Sequence, residues 1–359
     1  MDGLLKVVHV NASKIEGKEI MKREKQLTVL ETERGILWLK RWFEDGLASE
    51  LELARVSAPL FVSADSGVQD NLNGTERAVG FTIPEIGPQR YEIVHSLAKW
   101  KRLALARYGI PQGKGLYTDM NALRPDEGSL RTGIHSVYVD QWDWEKAISA
   151  DDRSLETLKS VVRKIYKAML DTEAKVCTEF GLVPFLKKEI TFIHSEDLLA
   201  AYPKCTPKER EDQACKEHGA VFIIGIGGAL PDGTIHDGRA PDYDDWSSPT
   251  TAGHKGLNGD ILVWNPFIGR SFELSSMGIR VDKSALVRQL EIRGNESRLT
   301  MMWHQMLLKD QMPLSIGGGI GQSRLSMLLL HKRHIGEVQA SMWPEEVARE
   351  CQREEIVLL

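Results

Sequence analysis

Four glycines fall within five residues, Gly317-Gly318-Gly319-Ile320-Gly321, and Gln322-Ser323-Arg324 follows them close to the C-terminus of a 359-residue chain. Glycines let a backbone approach a ligand closely, and a helix starting just beyond them offers N–H groups to an anion. Two nucleotide-binding architectures are excluded at once. No Lys-Ser or Lys-Thr follows the glycines, so they form no P-loop, and too little chain remains to build a βαβ dinucleotide unit after them. On these residues alone two readings stay open: a tight loop-to-helix transition into a core helix over 322–331, or a ligand cradle. Arg324, one turn past the glycines, is left unexplained by the first, because a guanidinium there could stack flat on a purine.

The rest of the chain narrows the fold class. Leu155, Leu158, Val162, Ile165 and Met169 recur at helical spacing between Ser154, a good N-cap, and Gly181, a good terminator, which predicts a helix over 154–180. A second helix is expected over 26–45, with Leu30, Leu37 and Phe43 turned inward and Gly46 after it. Short strand-like pieces bounded by turn residues lie at 90–94, 136–138, 220–224 and 261–264. Strands do not alternate regularly with helices, so the pattern predicts an α+β fold with a largely antiparallel sheet flanked by helices. No repeat, low-complexity tract or Pro/Ser-rich linker divides it, and one large domain is expected.

Composition excludes several functional classes. Lys and Arg number 46 against 51 Asp and Glu, a formal net charge of -5, whereas non-specific nucleic-acid binding needs a basic face. No nucleic-acid partner is therefore expected. Cys177, Cys205, Cys215 and Cys351 show neither disulfide-framework nor zinc spacing and have no nucleophile-like setting. No G-x-S-x-G elbow is present. Apolar runs such as 221–224 fall far short of a membrane span. The first twenty residues mix Lys6, Lys14 and Lys18 with Asp2, Glu16 and Glu19, unlike a signal or transit peptide. A cytoplasmic protein without a membrane partner is expected.

Four further segments could carry chemistry. Leu123-Arg124-Pro125-Asp126-Glu127 is either a charged hairpin tip or an arginine held for a phosphate beside two acids. Asp140-Gln141-Trp142-Asp143-Trp144-Glu145 alternates polar and aromatic residues; if the polar face points inward, Gln141, Asp143 and Glu145 line a site. Asp260 in 260–264 and Glu273 in 272–280 could come from two strands to hold Mg²⁺, which takes one or two carboxylates plus substrate phosphates. The acidic stretch 237–245 reads equally as a solvated loop or a cation-collecting lid. His331 and His334 lack a third ligand and are read as surface histidines.

In this order the segments resemble the catalytic core of class II aminoacyl-tRNA synthetases, with Arg124 and Arg324 at the positions that bind the ATP α-phosphate and stack on adenine. The aspartyl/asparaginyl subgroup is resembled by His95-Ser96-Leu97-Ala98-Lys99-Trp100-Lys101, Gln141-Trp142-Asp143 and Met277-Gly278-Ile279-Arg280. Narrower still, Gln69-Asp70-Asn71-Leu72 and the stretches 94–102, 122–127, 138–145, 239–246, 256–265, 273–281 and 316–325 resemble the ammonia-dependent asparagine synthetase family. The similarity spans 25–359 as one catalytic domain, and 1–24 is left as an N-terminal extension.

The resemblance implies that ATP, L-aspartate and ammonia give L-asparagine, AMP and pyrophosphate through a β-aspartyl adenylate. It implies Arg124, Asp126, Glu127, Arg239, Gly319, Gly321 and Arg324 for ATP, and Asp260 and Glu273 for Mg²⁺. Ser96, Lys101, Gln141, Asp143, Ser276 and Arg280 would hold aspartate, and Asp70 and Asp244 would bind ammonium and take its proton. It also implies a homodimer formed through the region around 26–60. The alternative is a synthetase paralogue that acts on tRNA or serves as a binding protein; loss of Arg124, Arg324 or Glu273 would favour it, and all three are present. A glutamine-fed amidotransferase is disfavoured because Asp2 stands where an N-terminal cysteine nucleophile would.

Overall fold

The computed structural model describes residues 25–126, 128–250 and 253–359; the extension 1–24 and Glu127 lie outside the described residues. Eleven strands are described: β1 (Leu53–Arg55), β2 (Phe61–Ser63), β3 (Gly80–Ile83), β4 (Gly87–Ile93), β5 (Gly115–Leu123), β6 (Tyr138–Ala147), β7 (Thr191–His194), β8 (Ala220–Ile224), β9 (Asn258–Asn265), β10 (Arg270–Ile279) and β11 (Ser315–Gly321). The helices are α1 (Val29–Leu51), α2 (Ala98–Arg107), α3 (Leu155–Phe180), α4 (Ser195–Ala201), α5 (Pro207–His218), α6 (Lys283–Arg293), α7 (Met302–Leu308), α8 (Gln322–Leu329) and α9 (Glu345–Arg353). Eight strands form one sheet in the order β1-β5-β6-β11-β10-β9-β8-β7. Only the edge pairs β1/β5 and β7/β8 are parallel. The α+β class and the largely antiparallel sheet are as expected.

Helix α3 follows its local signals. The Ser154 side chain accepts from the Thr157 N–H, Gly181 closes the helix at φ 68°, and Leu158, Val162, Ile165 and Met169 are buried. Helix α1 departs from expectation. It starts after Thr28, whose capping box with Glu31 fixes the first turn, runs through Gly46, and ends at Glu52 in the left-handed region. Leu30 and Leu37 point outward, and the inward stripe is Thr32, Gly35, Leu39, Phe43, Leu47 and Leu51. Gly46 faces α3, where an added Cβ would make only ordinary contact, 3.5 Å from Ala168 Cβ, so the packing does not require a glycine there. Tertiary packing overrides the weak helix-breaking tendency of one glycine.

Both helices cover the face of the sheet that presents Trp142 and Trp144, each fully buried, with Phe43 packed 4.6 Å from the Trp142 ring. The strand expected at 136–138 is in fact β6, which begins at Tyr138 and continues through the whole polar–aromatic alternation. A separate three-stranded sheet, in the order β2-β4-β3, stands beside the large one, and its β2–β3 connection carries Gln69 and Asp70. No helix among the described residues is long and apolar enough to cross a membrane. His334 corrects the surface-histidine reading: it is buried, caps a short 3₁₀ turn and packs edge-on against Trp343.

Candidate active site

The opposite face of the large sheet borders a cavity of about 370 Å³. Strand alternation puts Gln141, Asp143 and Glu145 of β6 on that face, opposite the two tryptophans. The glycine run meets them as a neighbouring strand, not as a loop: Gly321, Gly319 and Gly317 of β11 pair with Gln141, Asp143 and Glu145. None of these glycines has positive φ. Their role is room. A Cβ at Gly319 would overlap the Gln141 and Asp143 side chains, and one at Gly317 would overlap Glu145 and Arg280.

At this end Lys101, Asp143, Glu145 and Arg280 are all ion-paired inside the protein. Lys101 on α2 donates to the Gly318 carbonyl at 2.7 Å and lies 3.0 Å from Asp143 Oδ1, at 1% exposure. Burial pulls its pKa down, and Asp143 opposes the shift. Arg280, just after β10, meets Glu145 with Nε at 3.1 Å and Nη2 at 2.8 Å, and meets Asp244 through Nη1. Glu145 also accepts from Ser315 Oγ at 2.7 Å. A guanidinium carries five N–H donors and an ammonium three. Arg280 therefore keeps one on each Nη, and Lys101 keeps one. The same region contains Asp70, whose Oδ2 accepts from Ser96 Oγ at 2.6 Å. Its loop is pinned by Gln69, which bonds the Ile93 carbonyl at 2.9 Å and the His95 N–H at 3.0 Å.

The acidic stretch 237–245 is neither a solvated loop nor a cation-collecting lid. Asp242 is fully buried against Lys99 Nζ and His304 Nε2, each at 3.0 Å. Asp245 meets Arg153 at 2.6 Å. Gln289 on α6 uses its whole amide on the segment. It donates to the Pro241 and Asp244 carbonyls and accepts from the Trp246 N–H and the Ser247 hydroxyl, all at 2.9 Å. These anchors present Tyr243 and Asp244 to the cavity. Burial, with Asp70 adding to it, pushes the Tyr243 phenol well above its ordinary value, so it stays a neutral donor.

The other end is more open. Arg124 is buried, with Nε donating to the His95 carbonyl at 2.7 Å. Arg324 on α8 donates to the Glu273 carbonyl at 3.3 Å and lies 3.6 Å from its carboxylate. Asp260 of β9 faces Ser276 of β10 in the sheet register, and Ser276 Oγ donates to Glu273 Oε1 at 3.2 Å. Arg239 is ion-paired with both Asp260 and Asp244. Burial would raise the Glu273 carboxyl, but Arg324, Lys208 and Arg239 outweigh it and hold the group below the usual range. Among the described residues no group of three or more His, Cys, Asp or Glu is arranged to hold a metal ion. Two carboxylates without a closing cage suit Mg²⁺, which keeps waters and phosphate oxygens as its other ligands, and do not suit a structural zinc site.

The cavity thus brings together fifteen of the expected residues: Asp70, Ser96, Lys101, Arg124, Gln141, Asp143, Arg239, Asp244, Asp260, Glu273, Ser276, Arg280, Gly319, Gly321 and Arg324. Asp126 is not among its lining residues; it is exposed and bound bidentately by Arg77 at 2.7 Å. Sequence reading missed Tyr243, Lys208 and the clamps Gln289 and Asp242–Lys99. No local pattern distinguishes these side chains from ordinary surface or core residues.

Three comparisons bear on this geometry. A family model described as aspartate–ammonia ligase matches residues 30–355. An aspartate–ammonia ligase of Parabacteroides distasonis is 56% identical over 336 residues, covering 93% of this chain and 96% of that protein. Among solved structures, the asparaginyl-tRNA synthetase of Pyrococcus horikoshii complexed with asparaginyl-adenylate aligns with TM-score 0.62 at 15% identity, covering 87% of this chain and 70% of that one. The aspartyl-tRNA synthetase of Entamoeba histolytica aligns with TM-score 0.56 at 13% identity, covering 85% and 56%. At such identities the structural likeness shows the fold alone.

Proposed function

The chain belongs to the aspartate–ammonia ligase family, and from that premise we propose that residues 25–359 form one catalytic domain that amidates L-aspartate with ammonia through a β-aspartyl adenylate, releasing AMP and pyrophosphate. The observation that carries the adenylate is the position of Arg124 and Arg324 across one cavity from Lys101 and Arg280. A carboxylate is a poor acyl donor because oxide is a poor leaving group, and adenylation supplies AMP instead. Arg280 and Lys101 offer their remaining N–H donors to the aspartate carboxylates, while Ser96, Gln141 and Asp143 receive the amino end. Ser276, whose hydroxyl bonds Glu273 and Arg239, completes the substrate contacts. Arg124 offsets the negative charge that gathers as the β-carboxylate attacks the α-phosphorus. Arg324 stacks on adenine, with Gly319 and Gly321 leaving space for the nucleotide, and Arg239 neighbours the phosphates. Asp260 and Glu273 would hold Mg²⁺, which supplies charge neutralisation on the phosphates.

Asp70 and Asp244 were both expected to handle ammonium. Asp244 already carries a guanidinium on each oxygen, Arg280 on one and Arg239 on the other. Asp70 has only the Ser96 hydroxyl and one backbone N–H from Leu72. We therefore assign ammonium binding and deprotonation to Asp70, and to Asp244 the positioning of the two arginines. Ammonia must attack as the neutral base, so rates at subsaturating ammonium rise with pH until an enzyme group titrates. The reading includes a cytoplasmic homodimer joined through the region around 26–60, where α1 leaves Leu30 and Leu37 82% and 48% exposed; light scattering that returned a stable, active monomer would overturn it.

The test is product analysis with labelled aspartate, ATP and ammonium, with and without tRNA. Asparagine, AMP and pyrophosphate are expected. ADP as product, glutamine replacing ammonium at equal efficiency, or label transferred to tRNA would each defeat the proposal.

A further inference from the structure

Lys208 is the second residue of α5, whose first turn is fixed by Pro207 and by the capping box of Thr206 with Glu209. Further along this helix, Asp212 accepts hydrogen bonds from both the backbone N–H and the hydroxyl of Ser271 at 2.7 Å, which ties α5 to the start of β10. The side chain thus leaves a fixed platform and reaches the cavity beside Asp237 and Arg239. Its Nζ donates to Glu211 Oε1 at 3.1 Å and to Asp237 Oδ2 at 3.2 Å. An ammonium has three N–H donors. Two are taken, and the third belongs to a side chain still 55% exposed. Glu273, one of the two carboxylates read as metal ligands, is near enough for Lys208 to help hold its carboxyl down.

The neighbouring arginines each already face a carboxylate. Arg239 is paired with Asp244 and Asp260, and Arg324 lies along Glu273. A triphosphate with its α-phosphorus at Arg124 and its base at Arg324 must carry its β- and γ-phosphates past the Asp260–Glu273 pair, where Lys208 has a free donor. We propose that Lys208 binds the β- and γ-phosphates of ATP and the pyrophosphate they become, which makes it a substrate-contacting residue on the leaving-group side. The inference rests on reading the site as an adenylating one. When the aspartate oxygen bonds to the α-phosphorus, the bond to the bridging oxygen breaks and pyrophosphate departs with its electron pair. The charge that develops there is met by the Lys208 ammonium, and no proton moves.

Equilibrium titration calorimetry on the full chain separates this role from a structural one. Wild type, Lys208→Met and Lys208→Arg are each titrated with pyrophosphate in the presence of Mg²⁺ and, separately, with AMP. Loss of one charge-assisted hydrogen bond weakens pyrophosphate binding about tenfold or more in Lys208→Met. AMP lacks the outer phosphates, so its affinity stays within about twofold, and Lys208→Arg recovers most of the pyrophosphate affinity. Unchanged pyrophosphate binding in Lys208→Met would overturn the assignment. So would equal loss of AMP and pyrophosphate, which would make Lys208 a mere support for Glu273 and Arg324. Wild type that forms ADP and binds no pyrophosphate would instead overturn the adenylating reading, and this inference with it.

Discussion

At one end of the cavity Lys101, Asp143, Arg280 and Glu145 have side chains no more than 2% exposed, and each is ion-paired within the protein. At the other, Arg324, Glu273 and Lys208 remain 21%, 31% and 55% exposed. The difference follows what each end has to hold. A small zwitterion brings few contacts of its own, so its recognition depends on donors fixed in place before it arrives, and a low-dielectric setting strengthens them. A triphosphate brings several charges and a metal ion, so it can complete a set of groups left half-satisfied and wet. Burial makes the closed end costly to disturb. Exposure makes the open end tolerant in folding and sensitive in binding.

The largest effect is expected from breaking the closed end. Arg280→Met leaves Glu145 buried with only the Ser315 hydroxyl and takes from Asp244 one of its two guanidiniums, which should destabilise the fold by about 3–5 kcal/mol and remove measurable aspartate binding. Chemical denaturation and aspartate titration read the two effects separately. A variant as stable as wild type would mean that solvent enters this end freely, and the contrast would collapse. At the open end, Glu273→Gln should lower kcat on the order of a hundredfold while the unfolding midpoint stays near wild type. Normal turnover at ordinary Mg²⁺ would remove Glu273 from the metal site.

Arg324→Ala sharpens the comparison further. A desolvated stacked guanidinium is worth about 1–2 kcal/mol, so the KM for ATP should rise roughly tenfold with the KM for aspartate unchanged. Unchanged ATP kinetics would make the turn into α8 purely structural. The smallest effect belongs to Asp126, exposed and held by Arg77 outside the cavity lining. Asp126→Ala should alter the KM for ATP by less than about twofold. A larger rise would extend the open end to this segment and restore the ATP role that the resemblance implies for Asp126.

The features legible in the sequence were those that few neighbouring residues settle. Helix α3 was readable because Ser154, Gly181 and an unbroken apolar period all agree. The alternation in β6 announced two unlike faces, and the choice of inward face awaited the sheet. Gly46 and Gly317–Gly321 misled for one reason: a glycine signals freedom, not its use. In α1 the helix continues through Gly46, and in β11 the missing Cβ atoms clear volume for Gln141, Asp143, Glu145 and Arg280.

The sequence by itself determined the α+β class, the principal helices, and the chemical types available to the site through recognisable stretches around Arg124, Gln141, Asp260, Glu273 and Arg324. Only the tertiary structure decided which charges oppose which. Arg280 meets Glu145 across 135 residues of chain, and Lys101 meets the Gly318 carbonyl across 217. The partners of Lys208 are also set by the packing of α5, Glu211 from its own helix and Asp237 from the segment beyond β8. Caps and periodicities act over a few residues along the backbone, whereas strand register and helix docking bring distant residues within hydrogen-bonding distance. Once those contacts form, burial determines which donors remain for a substrate.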